Sequence, residues 1–298
     1  AVRCVLNAVS ECKRIFREFQ PDCIIGTGGY ASFPALYAGA QMGIPTCVHE
    51  SNAVPGLTTK LAARKASRVL FAFAESVRYY GNPDKVEVVG MPVRREFIYT
   101  TREEARKELG IGEEPLVVSA FGSLGARVMN ETVAEMFRLE QADGFPFQHI
   151  HATGSFGWEW MPRLVREKGV DPDTVDAIDM REYIYNMPTV MDAADVIISR
   201  AGASTCNEIA AAGIPAILIP SPNVTNHHQE KNANLMAERD AAVTIPEPDC
   251  TPQRLYDEVR ALLREPERRE RMTKNLREMV RLDSTERIGD IIESLIRK

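Results

Sequence analysis

Along the chain, short apolar runs alternate with longer stretches whose apolar residues recur at helical spacing. Residues 1–19 follow the helical spacing and read as an amphipathic helix. "PDCIIG" is then a short buried strand ending in glycine, "ASFPALYAGAQMG" a helix rich in small residues, and "IPTCVHE" the next strand. "GLTTKLAARKASRV" reads as a basic helix, "RVLFAF" as a strand, and "KVEVVGMPVRREF" as a strand running into a turn. After Val93 the series starts again. "TREEARKELG" is a capped, charged helix, "PLVVSAFGS" a strand, "ARVMNETVAEMFRL" a helix, and "FQHIHATG" and "VDAIDM" are strands. "DVIISRAG" leads through a glycine turn into a small-residue helix and on to the strand "PAILIPSP". Two or three helices follow from Thr251, a good N-cap because Pro252 takes the first helical position. Strands alternating with helices predict an α/β fold with parallel sheets and helical crossovers.

A length of 298 residues predicts two domains. An internal echo points the same way. "GGYASFPALYAGAQMGIPTCVHE" and "GASTCNEIAAAGIPAILIPSP" share a glycine loop, a small-residue helix, Gly-Ile-Pro and a strand. Any helix-to-strand turn favours glycine and then proline. Together with the restart near Val93, the echo favours two Rossmann-like halves facing a cleft.

Composition narrows the function classes. A net charge of −6 disfavours general nucleic-acid binding. The six cysteines form no C-x-x-C pair and read as free thiols. His149 and His151 alternate along one strand and so share a face, but no His, Cys or carboxylate cluster has zinc spacing, and a metal site there is disfavoured. No apolar run is long enough to cross a bilayer as a helix, and the first residues do not have the pattern of a signal peptide.

Three glycine loops, "GTGGYAS", "FGSLGAR" and "RAGAST", each follow a strand and open a helix. Helix N-termini offer unpaired N–H groups and partial positive charge, and glycine lets a phosphate approach the backbone. None of the three matches the dinucleotide fingerprint or the P-loop. Glu208 has two readings. Thr205-x-x-Glu208 is a capping box, which would make it structural; as a pocket acid it would accept hydrogen bonds from a ribose diol. Gln229 and Asn232 share a helix face, either as a solvated helix start capped by Asn226 or as amides that recognise sugar hydroxyls. Arg94 either reaches a diphosphate or makes a surface ion pair.

These segments resemble a known family. "GTGGYASFPALYAGAQMGIPTCVHESNAVPGLTTK", "VVGMPVR", "FGSLGAR", "YIYNMP" and "SRAGASTCNEIAAAGIPAILIPSPNVTNHHQEKNA", in that order, are similar to the MurG family of N-acetylglucosaminyltransferases. The resemblance spans nearly the whole chain. It implies a GT-B fold, with two Rossmann-like parallel-sheet domains facing a cleft. The implied reaction is inverting transfer of N-acetylglucosamine from UDP-N-acetylglucosamine to the 4-hydroxyl of MurNAc in lipid I, the undecaprenyl-diphospho-MurNAc-pentapeptide. The product is lipid II of peptidoglycan synthesis. Residues 94–280 would bind the donor, and residues 1–93, with a C-terminal helix at about 281–298, would form the acceptor and membrane side.

Carried over residue by residue, the donor loop is Ala203, Ser204, Thr205, Cys206, Asn207 and Glu208. Glu208 would hold the ribose, and the Ser204–Thr205 helix end would face the diphosphate and sugar. Ile184 matches the residue whose backbone reads uracil, and Ser123, Arg94 and Gln229 match further donor contacts. Asn52 and Tyr30 match cleft residues of the acceptor-side domain, and Asn52 is also counted with the donor contacts. The family implies no metal and no cofactor. It implies peripheral attachment to the cytoplasmic face of the cell membrane. Lys60, Arg64, Lys65 and Arg68, at helical spacing, would contact anionic lipid there; a solvated basic face is the plainer alternative.

The resemblance stops short of the family's opening strand and histidine-bearing glycine loop. The first sheet is therefore expected to lack about two βα units of about 30 residues each. No catalytic base is assigned, and activity of the chain as written is expected to be low. The rivals are another GT-B transferase with a lipid acceptor, a UDP-sugar 2-epimerase, and a non-catalytic UDP-sugar-binding fragment.

Overall fold

The computed structural model of the chain describes residues 2–297. It divides into two compact units, Ala1–Pro92 with Arg281–Lys298, and Val93–Val280. Each is built on a parallel sheet with helical crossovers, the class that the alternation of runs predicts.

The first unit holds β1 (Ile24–Gly26), β2 (Thr46–Glu50), β3 (Arg68–Phe71) and β4 (Val86–Val88), hydrogen-bonded in that order. Strand β2 is buried at every position, as a strand covered on both faces must be. One face packs Val48, Val69 and Phe71 against Leu36 and Ala62; the other packs Cys47 and Leu70 against Ile291 and Leu295 of the last helix, Ser284–Ile296. The expected basic helix is shorter than its sequence suggests. Helix Leu57–Ala63 ends before Arg64, and Arg68 opens β3, where its Nε lies 3.4 Å from Glu87. Lys60, Arg64, Lys65 and Arg68 therefore do not share one helix face. The strand propensity of "RVLF" and its pairing with β2 override the helical spacing of the cations.

The second unit has six parallel strands: β5 (Leu116–Ala120), β6 (Gln148–Ala152), β7 (Ile178–Arg181), β8 (Val196–Ser199), β9 (Ala216–Leu218) and β10 (Ala242–Thr244). Their order is β10-β9-β8-β5-β6-β7. Strand β10, and the helices Met161–Glu167 and Met187–Ala193, were not marked by the apolar pattern. Both Gly-Ile-Pro copies turn a helix into a strand. Gly43 (φ 77°) and Gly213 (φ 67°) take the left-handed conformation that closes a helix.

A polar chain crosses the core of this unit. Glu140 Oε1 lies 2.8 Å from His149 Nδ1, His149 Nε2 lies 2.8 Å from Ser119 Oγ, and Ser119 Oγ lies 2.6 Å from His151 Nδ1. All four residues are fully buried among Phe137, Phe147 and Phe121. Burial raises the Glu140 carboxyl, opposed by His149, and drives the His151 imidazole well below its ordinary value. The two strand histidines are thus core residues that tie β5 and β6 to helix Arg127–Ala142.

Two outcomes follow from these buried groups. Ser119→Ala leaves two buried imidazole nitrogens without their hydroxyl, and it should cost about 1–3 kcal/mol in urea unfolding. An unchanged midpoint would show that the chain of bonds adds no stability. Asp192, on helix Met187–Ala193, has a buried Oδ2 with no hydrogen-bond partner among the described residues. Burial pushes its carboxyl from 3.8 up to about 6. The ionised form is therefore the disfavoured one in the folded chain, and its cost is present above pH 6 and absent below the unfolded value. Asp192→Asn should raise Tm at pH 8, with the gain shrinking as pH falls through 6; a pH-independent gain would refute this cause.

Candidate functional site

The strand order of the second unit reverses between β5 and β8. From β5 the chain proceeds outward to β6 and β7; from β8 it proceeds the other way to β9 and β10. Loops leaving the carboxyl ends of two such strands diverge and leave a crevice, the place where open α/β sheets bind ligands. A pocket of about 350 Å³ lies there. Its wall takes Ala120, Gly122 and Ser123 from the end of β5, Ile197 and Ser199 from β8, and Thr205 and Glu208 from the helix after β8. Ala152 at the end of β6, Arg94, and Tyr183, Ile184, Met187 and Met191 from the segment after β7 complete it.

The helix after β8 is Ala203–Ala212. Its N-cap is Gly202, extended (φ −65°, ψ 147°), and no side chain caps the first turn. Thr205 is therefore the third helical residue rather than the cap, and the capping box with Glu208 is not formed. The dipole end of this helix stands beside the pocket with its first-turn N–H groups uncapped by a side chain. Glu208 turns instead toward Arg94, whose Nη2 lies 3.5 Å from Oε1. Burial raises the Glu208 carboxyl, and Arg94 opposes that shift. The Arg94 guanidinium also lies over the Phe97 ring, 5.5 Å from its centroid.

Ser123 is held by close backbone approach between two loops. Gly125 (φ 78°) has the carbonyl oxygen of Thr153 2.0 Å from where a Cβ would stand, and Gly154 (φ 73°) meets the Gly125 nitrogen at 2.1 Å. Only glycine fits at either position. Ser155 N donates to Ser123 O at 3.2 Å, which stitches the β6 loop to the β5 loop. In the segment after β7, the buried Ile184 anchors the backbone between Tyr183 and Tyr185, whose rings lie 5.0 Å apart.

Of the residues singled out in the sequence, Arg94, Ser123, Ile184, Thr205 and Glu208 meet at this pocket. Ala203 and Ser204 begin the helix beside it. Cys206 is fully buried, its thiol pushed up to about 12, and Asn207 donates back to Ala203 O at 2.9 Å; both support the helix from behind. Gln229 does not line the pocket: its Oε1 accepts from Ser221 N at 2.9 Å. Asn226 is not a cap. It and His227 are left-handed (φ 56° and 51°), and the helix begins at His228. Sequence reasoning missed Tyr183, Met187, Met191 and Ser199 on the pocket wall. Tyr183 and Ser199 lie just past, or at, a strand's carboxyl end, which was the signal available for them, whereas Met187 and Met191 are brought in by the helix Met187–Ala193.

Asn52 and Tyr30 belong to the first unit. Asn52 lies in a loop organised by the buried Glu50, which accepts from Asn52 N (3.1 Å), Asn52 Nδ2 (3.0 Å), Gly56 N (3.1 Å) and Thr59 Oγ1 (2.6 Å). Tyr30 is 89% exposed at the start of helix Gly29–Gln41.

Comparison with known proteins agrees with this architecture. Residues 116–292 match the glycosyltransferase family 28 C-terminal domain, and residues 2–71 match the family's N-terminal domain. A relative from Acetivibrio thermocellus, named UDP-N-acetylglucosamine--N-acetylmuramyl-(pentapeptide) pyrophosphoryl-undecaprenol N-acetylglucosamine transferase, is 39% identical over 298 residues, 100% of this chain and 79% of the relative. A relative of the same name from Thermoanaerobacter sp. is 40% identical over 96% of this chain and 78% of its own length. The crystal structure of Acinetobacter baumannii MurG superposes with a TM-score of 0.78 at 25% identity, covering 99% of this chain and 81% of that one. With both domain matches in place and relatives this similar along the chain, the protein belongs to glycosyltransferase family 28 and has the GT-B class of fold.

Proposed function

We propose that the protein transfers N-acetylglucosamine from UDP-N-acetylglucosamine to the 4-hydroxyl of MurNAc in the undecaprenyl-diphosphate-linked pentapeptide acceptor, giving lipid II. The observation that carries this reading is the convergence of Arg94, Ser123, Ile184, Thr205 and Glu208 on one pocket at the strand-order reversal. The name borne by relatives of 39–40% identity supports it.

In this reading the uracil sits against the Ile184 backbone, Glu208 accepts from the ribose hydroxyls, and the diphosphate faces Ser123 and the start of helix Ala203–Ala212. Transfer develops positive charge on the sugar ring and negative charge on the departing diphosphate. In this reading the N–H dipoles at the helix start would stabilise the second of these, joined by the Arg94 guanidinium as it leaves Glu208. The acceptor hydroxyl must pass its proton to a base, a role assigned to no residue of this chain. Asn52 and Tyr30, in the first unit, are the residues proposed for the acceptor side.

Peripheral attachment to the cytoplasmic face of the membrane is part of the same proposal. No helix among the described residues is long and apolar enough to cross a membrane. Lys60, Arg64 and Lys65 remain exposed around the end of helix Leu57–Ala63, whereas Arg68 is engaged by Glu87.

Titration calorimetry with UDP should show binding that Glu208→Ala weakens by about 1–3 kcal/mol, the cost of leaving hydrogen-bonding partners unpaired. Arg94→Lys should fail to restore wild-type affinity, since an ammonium cannot present two parallel donors to a phosphate. Unchanged affinity in both variants would refute the assignment. For the membrane, neutralising Lys60, Arg64 and Lys65 together should reduce sedimentation with anionic vesicles, at about 1 kcal/mol per cation. Undiminished sedimentation would remove these residues as the anchor.

A further inference from the structure

The segment between β8 and helix Ala203–Ala212 is fastened at three successive residues to different parts of the second unit. Ser199 Oγ donates to Ala120 O at 2.9 Å, at the end of β5. Arg200 Nη1 donates to Ile219 O at 3.0 Å, just past β9, while its Nη2 pairs with Glu247 Oε2. Ala201 O accepts from Asn232 Nδ2 at 3.1 Å, on helix His228–Glu238. The next residue, Gly202, begins the helix turn that borders the pocket.

Arg200 and Glu247 are set apart from the many exposed ion pairs of the chain by burial. Their side chains are only 12% and 14% exposed. Neither residue lines the pocket. A buried pair gains little net stability over apolar packing, because desolvation offsets the attraction, but breaking one member leaves an uncompensated charge. What such a pair does supply is direction. The guanidinium reaches two fixed acceptors at once, one at the β9 end and one on the short helical turn Glu247–Asp249. Its backbone is thereby held between Ser199 and Ala201, which have ties of their own.

We propose that Arg200 and Glu247 are positioning residues of the donor site. They fix the angle at which helix Ala203–Ala212 presents its first-turn N–H groups to the phosphates of the nucleotide. The inference rests on the reading that this helix end faces a nucleoside diphosphate. It adds two residues that act through the helix without touching the ligand. The effect should fall most on the phosphates and, through Glu208 on the same helix, in part on the ribose, and it should spare the uracil, because the Ile184 segment follows β7, on the other half of the sheet.

The test measures dissociation constants for UDP and for UMP, with Tm recorded alongside, in the wild-type chain, Arg200→Lys and Glu247→Gln. Lysine keeps the charge but reaches one acceptor; glutamine keeps an acceptor but drops its charge. The UDP constant should rise about tenfold in each, within the range seen when a residue supporting a binding group is lost. The UMP constant should rise less, so that the preference for UDP over UMP narrows. A general loosening would lower both affinities alike and leave the preference intact, and that result would overturn the proposal, as would unchanged binding. Should Arg200→Lys fail to fold, Glu247→Gln carries the same comparison. A wild-type chain that binds no UDP would overturn the donor-site reading itself, and the inference with it.

Discussion

The parallel pairing of β5 with β8 is the constraint on which the second unit depends. Val117 to Ala120 lie in register with Val196 to Ser199, and each strand starts a half-sheet that grows away from the other. Parallel connections are right-handed, so half-sheets that grow in opposite directions send their crossover helices to opposite faces. The two loops must then part at the carboxyl ends. The crevice follows from topology before any side chain is chosen. The side chains decide what it holds: a glycine loop with Ser123 on one bank and an uncapped helix start with Glu208 on the other.

Strand chemistry at the crevice separates its two sides. Strands β5 and β6 end in Ser-Ala and His-Ala. The alanines, Ala120 and Ala152, line the pocket and leave it room. Ser119 and His151 point the other way by strand alternation and join the buried polar chain with His149 and Glu140. The contacts from Glu140 through His149 to Ser119 have the lengths of a hydrolytic triad, yet the group is sealed from solvent. Geometry alone therefore does not make a nucleophile; access decides. In the dry core the same contacts become a tie between two strands and a helix, strengthened by the low local dielectric.

Much of this was legible in the sequence, because burial on both faces writes a parallel strand as a continuous apolar run. The runs ending in Gly26, Ala120 and Ser199 and the paired Gly-Ile-Pro turns placed the glycine loops correctly. Short elements were lost where tertiary contacts, not local pattern, define them. Strand β10 is three residues long and exists through its ladder with β9. The basic stretch from Lys60 to Arg68 kept helical spacing across a boundary that sheet pairing imposes. Thr205-x-x-Glu208 satisfied the capping-box pattern, but the helix begins at Ala203 with Gly202 as its N-cap, upstream of Thr205, which no side-chain pattern records. Arg200 was invisible as a positioning residue because its partner Glu247 lies 47 positions away in sequence.

The failure of the capping box is what makes Glu208 informative. A carboxylate in a capping box is lowered by the hydrogen bonds it accepts, as Glu104 is by the Thr101 hydroxyl and then by the Thr101 backbone N–H. Glu208 shows the reverse: burial raises it, and its cation is a half-exposed arginine at 3.5 Å. At that distance and exposure the attraction is worth about 0.2–1 kcal/mol, which does little to offset desolvation. Two other buried carboxylates of this chain are better satisfied. Glu50 accepts four hydrogen bonds, and Glu247 has Arg200 in direct contact. An under-satisfied acid beside a loosely held arginine, on the wall of a pocket, is an arrangement that a ligand completes. Ribose hydroxyls would supply Glu208 with the donors that it lacks, while a diphosphate would draw Arg94 away from it.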